Sequence, residues 1–144
     1  MSTNLSSPER VYLGGVRVLL VDSSQSIREV VTAMLEDSGA TVTAVATADE
    51  ALETLERERP EVLVSALAMP DKGGYWLIGQ VRGLPPERGG ATPAAALTGY
   101  TGPEHRASIL RAGFQYHIVK PVTQGNLSGI VALLALKAPA PPQG

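Results

Sequence analysis

Short apolar runs alternate along the chain with longer segments whose apolar residues recur at helical spacing. Residues 16–21 are mostly valine and leucine, which is typical of a strand buried on both faces. In residues 26–38, apolar side chains recur three and four positions apart, as on one face of a helix, and Gly39 follows where a helix commonly ends. The first part of the chain therefore predicts a strand followed by an amphipathic helix.

The same alternation continues to about residue 136. Thr47 and Glu50 form a capping box, in which a hydroxyl and a carboxylate satisfy free helix amides, and the helix that they open stops before Pro60. Thr101 and Glu104 form a second capping box. The further strands are predicted at residues 41–45, 62–67, 93–97 and 115–119, and the further helices at residues 47–59, 74–82 and 101–112 and from about Thr123 onwards.

Five strands, each followed by a helix, predict a parallel sheet with helices on both faces, because right-handed crossovers join successive parallel strands. The simplest five-strand solution is the flavodoxin-like, doubly wound α/β fold. It has strand order 2-1-3-4-5, five helices and three αβα layers. Its functional site lies at the carboxyl ends of the strands. Those ends comprise residues 21–24, 66–70, 98–100 and 119–121.

The ends of the chain differ in composition from this alternating region. Residues 1–13 are predicted to be a flexible N-terminal segment, since the first ten are polar, rich in serine and without periodicity. Residues 138–144 (APAPPQG) predict a Pro-rich tail or linker. One folded domain is left, residues 14–137, which is large enough to bury a core without disulfides or metals.

Composition removes several classes of function. The chain has no cysteine, which excludes thiolate zinc sites and cysteine nucleophiles, and its two histidines are too few to suggest a histidine metal site. The formal net charge of −2 indicates binding neither to nucleic acid nor to an acidic membrane surface. The first ten residues lack the apolar region of a signal peptide, and residues 130–136 are too few to span a bilayer. We therefore expect a cytoplasmic protein.

Four motifs at the strand ends together resemble the receiver domain of bacterial two-component response regulators. LLVD, ending at Asp22, looks like the first strand of that family, and PEVLVSALAMP (residues 60–70) looks like its phosphorylation strand and Met-Pro turn. ALTGY (residues 96–100) looks like the fourth-strand switch, and AGFQYHIVKP (residues 112–121) looks like the fifth strand with its Lys-Pro. The resemblance covers roughly residues 16–136. RGGATP, from residue 88, is similar to receivers of hybrid sensor kinases.

The resemblance implies a site in which an aspartate takes up a phosphoryl group beside Mg²⁺. Two acids after the first strand hold the ion, and a lysine stabilises the transferring group. This chain matches only part of that set. Ala66 falls at the phosphoacceptor position, and the two acidic positions hold Asp22 and Ser23. The hydroxyl switch, the ring-bearing switch and the lysine positions hold Thr98, His117 and Lys120.

We expect no aspartyl phosphate at Ala66, because a methyl group has no lone pair to attack phosphorus. Asp22 alone is a poor Mg²⁺ site, so no cofactor is predicted. The hypothesis is a degenerate receiver, or pseudo-receiver, that is not an enzyme and acts by phosphorylation-independent protein–protein interaction. Its partner would be a sensor kinase, an output domain or a second copy, bound by the face of the fourth helix, fifth strand and fifth helix. The candidate residues of that face are His105, Arg106, Ile109, Gln115, Tyr116 and Asn126.

Two other functions stay open. The first is a phosphorelay receiver whose aspartate has been replaced by Ala66. Ser23 and Gly73 also depart from the family pattern, which favours natural loss. The second is an enzyme on the same fold, but the strand ends lack a nucleophile–base pair, a metal cluster or a cofactor cradle. Ser65 should point away from the Ala66 pocket, because adjacent strand residues face opposite sides, and is interpreted as a core residue.

Each candidate residue also has a structural interpretation. Asp22 and Lys120 can simply form an ion pair, since a partly buried ammonium needs a partner. Thr98 can cap local backbone, and His117 can be an ordinary strand residue. Three more residues are interpreted here. Tyr75 and Trp76 are an aromatic pair that serves in packing or in docking a partner, and Pro121 is the site of a cis peptide bond that the resemblance implies.

Overall fold

The computed structural model describes residues 11–99 and 102–138, which form one five-stranded parallel sheet with helices on both faces. The strands are β1 (Arg17–Val21), β2 (Thr41–Val45), β3 (Val62–Ala66), β4 (Ala94–Thr98) and β5 (Tyr116–Val119). The helices are α1 (Gln25–Asp37), α2 (Ala48–Glu58), α3 (Gly74–Arg82), α4 (Pro103–Ala112) and α5 (Gln124–Ala135), with a short 3₁₀ turn at Pro86–Arg88. The strand order β2-β1-β3-β4-β5 confirms the predicted fold.

Two apolar clusters lie on opposite faces of the sheet, because successive strand residues point to opposite sides. In β1, Leu20 belongs to the cluster beneath α1 and α5, and its neighbour Leu19 belongs to the cluster beneath α2, α3 and α4. β3 and β4 are buried along their whole length. Continuous burial explains why these strands read as unbroken runs of small and apolar residues.

The predicted element boundaries lie within two residues of the observed ones. The first capping box is confirmed, since the Glu50 N–H donates to Thr47 Oγ1 at 3.1 Å. Among the described residues, Gly102 is the N-cap of α4 and has no side chain to cap it. The prediction of a second capping box cannot be compared with the structure, because it depends on Thr101. Thr101 lies outside the described residues. Pro103 does occupy the first turn of α4, where its missing N–H costs no hydrogen bond.

The predictions for residues 1–10 and 139–144 lie outside the described residues. Leu13, which the sequence placed in the flexible segment, is 1% exposed within the core. Its N–H donates to the Ser38 carbonyl at 2.6 Å. The packed part of the chain therefore includes Leu13. The prediction was wrong for this residue, because it rested on the polar composition of the residues before it. In the described ranges, no helix has the length and apolarity needed to cross a membrane.

Arg82, the last residue of α3, connects this helix to the loop before β4 and to the turn before β5. Its guanidinium donates five hydrogen bonds, to the carbonyls of Gly90, Thr92 and Gly113 and to the side-chain oxygen of Gln115. Burial lowers the pKa of Arg82 from its ordinary value. The loop before β4 and the turn before β5 are thus held together by one side chain.

We expect Arg82→Met to lower the free energy of unfolding by about 2–3 kcal/mol, because several carbonyls lose a charged donor. Arg57→Met is the matched control, since Arg57 is an exposed residue of α2 that pairs with its neighbour Glu58. The control should lose less than about 0.5 kcal/mol. Urea unfolding followed by circular dichroism measures both losses. Equal losses would show that the carbonyl contacts of Arg82 contribute nothing specific.

Candidate functional site

Four strand ends bring most of the predicted site residues to one edge of the sheet. The parallel register of β1 and β3 places Asp22 beside Ala66. β4 ends at Thr98, whose carbonyl accepts a hydrogen bond from the Lys120 N–H at 2.8 Å. Ser23 follows Asp22 and is exposed. Asp22, Ala66, Thr98 and Lys120 therefore lie at one edge of the sheet, while the roles predicted for them stay predictions.

Asp22 is the buried charge of the site. It is 2% exposed, and its Oδ1 accepts a hydrogen bond from the Ser24 N–H at 2.9 Å. Its Oδ2 lies 3.2 Å from the Lys120 ammonium nitrogen. That contact is an ion pair without hydrogen-bond geometry, and Oδ2 has no hydrogen-bond partner among the described residues. The carboxylate is therefore held by charge on one oxygen and by a backbone amide on the other.

Ala66 is the last residue of β3, at the carboxyl edge of the sheet. It is 1% exposed but belongs to neither apolar cluster. The carbonyl of Ala66 accepts a hydrogen bond from Ser65 Oγ at 2.8 Å, and Ser65 is completely buried. Ser65 is thus a core residue. Gly74 packs so closely that a Cβ there would lie 2.2 Å from the Ala66 carbonyl oxygen, so the backbone at residue 66 is tightly enclosed.

The donor atoms at this edge fit a divalent cation poorly. Asp22 is the one carboxylate at the described strand ends, and Lys120 already faces it. Asp71, in the loop after β3, is exposed and has a left-handed φ of 66°. Over residues 11–99 and 102–138, no three acidic or histidine side chains are grouped to hold a metal ion. Mg²⁺ prefers several oxygen ligands in octahedral geometry, which this edge does not provide.

Thr98 contacts a histidine that sequence reasoning placed elsewhere. Its Oγ1 lies 3.2 Å from Nε2 of His105, in the first turn of α4. The sequence predicts that His105 belongs to an outer binding face. A signal was available, because the first turn of a helix that follows a strand lies beside that strand's end. The hydroxyl and α4 are therefore in direct contact in this structure.

His117 lies in β5 and is half-buried. Burial lowers the pKa of His117 below its ordinary value of 6.5, and the nearby charges of Arg106 and His105 lower it further. The neutral imidazole is therefore the favoured form at neutral pH.

The loop after β3 is fastened to α2. The Lys72 ammonium lies 3.1 Å from both carboxylate oxygens of Asp49, in the first turn of α2, and 4.8 Å above the ring of Trp76. Sequence reasoning missed this contact. Trp76 packs against the core, whereas Tyr75 is 41% exposed. The peptide bond between Lys120 and Pro121 is cis, as the resemblance implied.

The predicted binding face needs one correction. Ile109 is completely buried in the cluster beneath α4, so it cannot contribute to an outer surface. Its neighbour Leu110 is 44% exposed instead. An isoleucine in an amphipathic helix favours the core, and the helical period carries the next residue outward. Arg106, Gln115 and Asn126 are exposed, and His105 and Tyr116 are half-buried.

These strand ends, on a sheet of this order, define a receiver-type signalling domain. Residues 18–132 match the family model of the response regulator receiver domain. The chain therefore belongs to the response regulator receiver family, whose members act in two-component signalling.

Similar proteins include free-standing and fused forms. An uncharacterized 14.6 kDa protein of Leptolyngbya boryana is 44% identical, and the match covers 88% of this chain and 95% of that protein. Hybrid signal transduction histidine kinase D of Dictyostelium discoideum is 30% identical over 95% of this chain but only 10% of the kinase. The receiver domain of a Pseudomonas aeruginosa sensor histidine kinase is 29% identical with a TM-score of 0.77, covering 85% of this chain and 98% of that one.

Breaking the Asp22–Lys120 pair should destabilise the domain. Lys120→Met leaves a carboxylate that is 3% exposed without its counter-charge. We expect a loss of about 2–3 kcal/mol in the free energy of unfolding. Adding Asp22→Asn removes the unpaired charge and should recover much of this loss. Lys72→Met breaks the exposed pair with Asp49 and should cost less than about 1 kcal/mol. Urea unfolding of these variants tests the coupling, and a double variant without recovery would contradict it.

The lowered pKa of His117 predicts a pH-dependent stability. The unfolded chain binds more protons than the folded one at pH values between the lowered pKa and 6.5. The stability that the neutral His117 ring contributes is therefore fully present above about pH 6.5. It is lost as the pH falls through the pKa of the ring in the folded chain. We expect His117→Asn to reduce the loss of stability on acidification. NMR titration of the His117 ring measures the pKa directly, and a folded value at or above 6.5 would refute the assignment.

Proposed function

We propose that this receiver domain is degenerate and acts in bacterial signal transduction by binding a protein partner, without taking up a phosphoryl group. One observation carries the proposal: the side chain beside Asp22 at the end of β3 is the methyl group of Ala66. Covalent uptake of phosphate requires a nucleophile with a free electron pair. A methyl group provides none, and the adjacent Ser65 is committed to the core.

The charges around Ala66 support the same proposal. Lys120 has Asp22 as its counter-ion, at 3.2 Å, in place of a carboxylate at position 66. These two opposite charges cancel, which leaves little negative potential to attract a divalent cation. We therefore propose that no Mg²⁺ site is kept. The similar Pseudomonas aeruginosa receiver differs, since a magnesium ion is coordinated in its active site cleft.

Similar domains occur within longer signalling proteins, which supports a protein as the partner. The hybrid kinase of Dictyostelium discoideum carries such a domain within a much longer chain. We propose that the partner binds the face formed by α4, β5 and α5. Arg106, Leu110 and Asn126 are exposed there. Sensor kinases, output domains and a second copy of the chain are the partner classes in this proposal.

A phosphorelay receiver in which aspartate has been replaced by Ala66 is the second candidate. Its support is that Asp22, Thr98 and Lys120 still lie at their expected strand ends. Ser23 counts against it, because the second acidic position lacks a carboxylate as well. The two candidates differ in what restoring an aspartate would achieve.

The main test is incubation with acetyl phosphate and Mg²⁺, followed by intact mass measurement. We expect no phosphoryl adduct on this chain, because residue 66 has no nucleophile. The Pseudomonas aeruginosa receiver, treated in parallel, is the positive control. A stoichiometric adduct that hydroxylamine removes would contradict the proposal.

Restoring carboxylates separates the two candidates. We expect Ala66→Asp alone to bind Mg²⁺ weakly in calorimetry, because Ser23 leaves the pair of acids after β1 incomplete. The double variant Ser23→Asp/Ala66→Asp should bind the ion more tightly. Tight Mg²⁺ binding and rapid phosphorylation of Ala66→Asp alone would favour the phosphorelay candidate, in which only the aspartate at position 66 has been replaced.

A further inference from the structure

Charge is distributed unevenly along the chain. Residues 102–144 contain a single acidic side chain, that of Glu104, and four basic ones: Arg106, Arg111, Lys120 and Lys137. The other thirteen acidic and eight basic side chains lie in residues 1–101. The net charge of −2 therefore combines a basic C-terminal part with an acidic remainder.

The basic side chains also differ in whether they have partners within the domain. Between residues 11 and 99, every arginine and lysine donates a hydrogen bond to a carboxylate or to a carbonyl. In α4, the side chains of Arg106 and Arg111 are exposed and make neither a hydrogen bond nor an ion pair with any described residue. These two positive charges of α4 are therefore not neutralised inside the domain.

Arg106, Leu110 and Arg111 form an exposed strip on this helix, which we call the α4 strip. Arg106 and Leu110 are four residues apart, so they lie on the same side of the helix, and Arg111 follows directly. Leu110 is 44% exposed. Glu104 does not neutralise the strip, because it does not face Arg106, two residues on, and lies about 10 Å along the helix from Arg111. An apolar side chain thus lies between two unpaired guanidinium groups.

The charge of Arg106 also has an unfavourable neighbour within the domain. His117 of β5 points to the side of the sheet that α4 covers, since its register partner in β4, Ala96, belongs to the cluster beneath that helix. The positive charges of Arg106 and His105, both of α4, disfavour the protonated form of His117. Helix α5 lies on the other face of the sheet and has no charged residue. A negative charge beside Arg106 would relieve this repulsion.

We propose that the α4 strip binds an acidic segment of another protein, with carboxylates on the two arginines and an apolar side chain on Leu110. This inference rests on the proposed function and specifies the chemistry of its partner. Arginine suits this role because a guanidinium pairs with a carboxylate through two parallel hydrogen bonds. Charge complementarity of this kind gives specificity and a fast encounter.

The number of charges favours a protein segment over a nucleic acid. A DNA duplex carries one phosphate charge about every 1.7 Å. The ten residues of α4 extend over only about 15 Å and offer two unpaired arginines. The acidic remainder of the chain would also repel a long polyanion. A short acidic segment instead brings a few carboxylates to a few arginines.

The test uses a short peptide of glutamates with a leucine at its centre, added to the isotopically labelled chain and followed by NMR. We expect the amide signals of α4 to shift, with a dissociation constant on the order of 100 μM. A peptide in which glutamine replaces every glutamate should bind at least about tenfold more weakly. Equal affinity for the neutral peptide, or shifts that leave α4 unaffected, overturns the inference.

Two double variants separate the α4 strip from the effect of net charge. Arg106→Gln/Arg111→Gln should weaken binding of the peptide about tenfold. The matched control is Arg57→Gln/Arg88→Gln, which removes the same charge from two exposed arginines that are paired with glutamates of α2. It should weaken binding less than about twofold. Circular dichroism checks that both variants fold, and equal weakening by the two variants refutes a contact at the strip.

His117 makes the contact depend on pH. A carboxylate bound to Arg106 favours the protonated form of the nearby ring, so binding takes up protons and tightens as the pH falls. We expect the glutamate peptide, which stays ionised in this range, to bind about threefold more tightly at about pH 6 than at about pH 7.5. His117→Asn should remove this difference. A pH dependence that persists unchanged in the variant contradicts the placement of the carboxylates beside Arg106.

Two other occupants of the strip are outcomes of the same set of experiments. An oligonucleotide of equal charge that binds more tightly than the peptide overturns the assignment to a protein segment. Sedimentation velocity shows whether acidic residues of a second copy bind the strip. Self-association that Arg106→Gln/Arg111→Gln abolishes overturns the assignment to another protein.

The two proposals fail in different experiments. A phosphoryl adduct on the unmodified chain refutes phosphorylation-independent action, whatever the α4 strip binds. A chain that takes up no phosphate and does not bind the glutamate peptide refutes the role of the α4 strip alone. Phosphorylation-independent action then stands, with a partner of different chemistry.

Discussion

The ion pair between Asp22 and Lys120 joins strands that are not neighbours in the sheet. β3 and β4 lie between β1 and β5, and adjacent strands are about 4.8 Å apart. The two charged groups nevertheless approach to 3.2 Å, because a lysine side chain is long and the methyl group of Ala66 is too short to separate them. The contact joins the loop after β1, where the Ser24 amide binds the other oxygen of Asp22, to the end of β5 beside Pro121.

Sequence patterns were sufficient to predict the fold, because the hydrophobic period and the helix caps are local properties of the chain. They were also sufficient for the strand-end residues, because parallel strands bring their carboxyl ends to one edge. The position of the first turn of α4 beside the end of β4 was a signal for the contact between Thr98 and His105. Which side chain of that turn reaches Thr98 depends, however, on how α4 is oriented about its axis. The same uncertainty in helical phase put Ile109 on the surface instead of in the core. Long side chains that join distant segments, as Arg82 and Lys72 do, leave no periodic signal.

Helices α4 and α5, which lie on opposite faces of the sheet, differ in character. α4 carries Arg106 and Arg111, and these charges are turned away from the core. α5, on the other face of the sheet, has no charged residue and leaves two leucines open to solvent. The proposed action by contact alone needs surfaces of distinct chemistry, since no covalent change would mark the state of the domain. This asymmetry provides such surfaces within a single small fold.

The close approach of Gly74 to the carbonyl of Ala66 involves main-chain atoms and is independent of the side chain at residue 66. The hydroxyl of Ser65 likewise binds that carbonyl, and Ala66 itself contributes to neither apolar cluster. The backbone at this strand end is therefore held in place by its neighbours, whichever group projects from it. A chain built in this way can lose its chemistry through one substitution and still keep its shape, so the fold can persist after the reaction has gone.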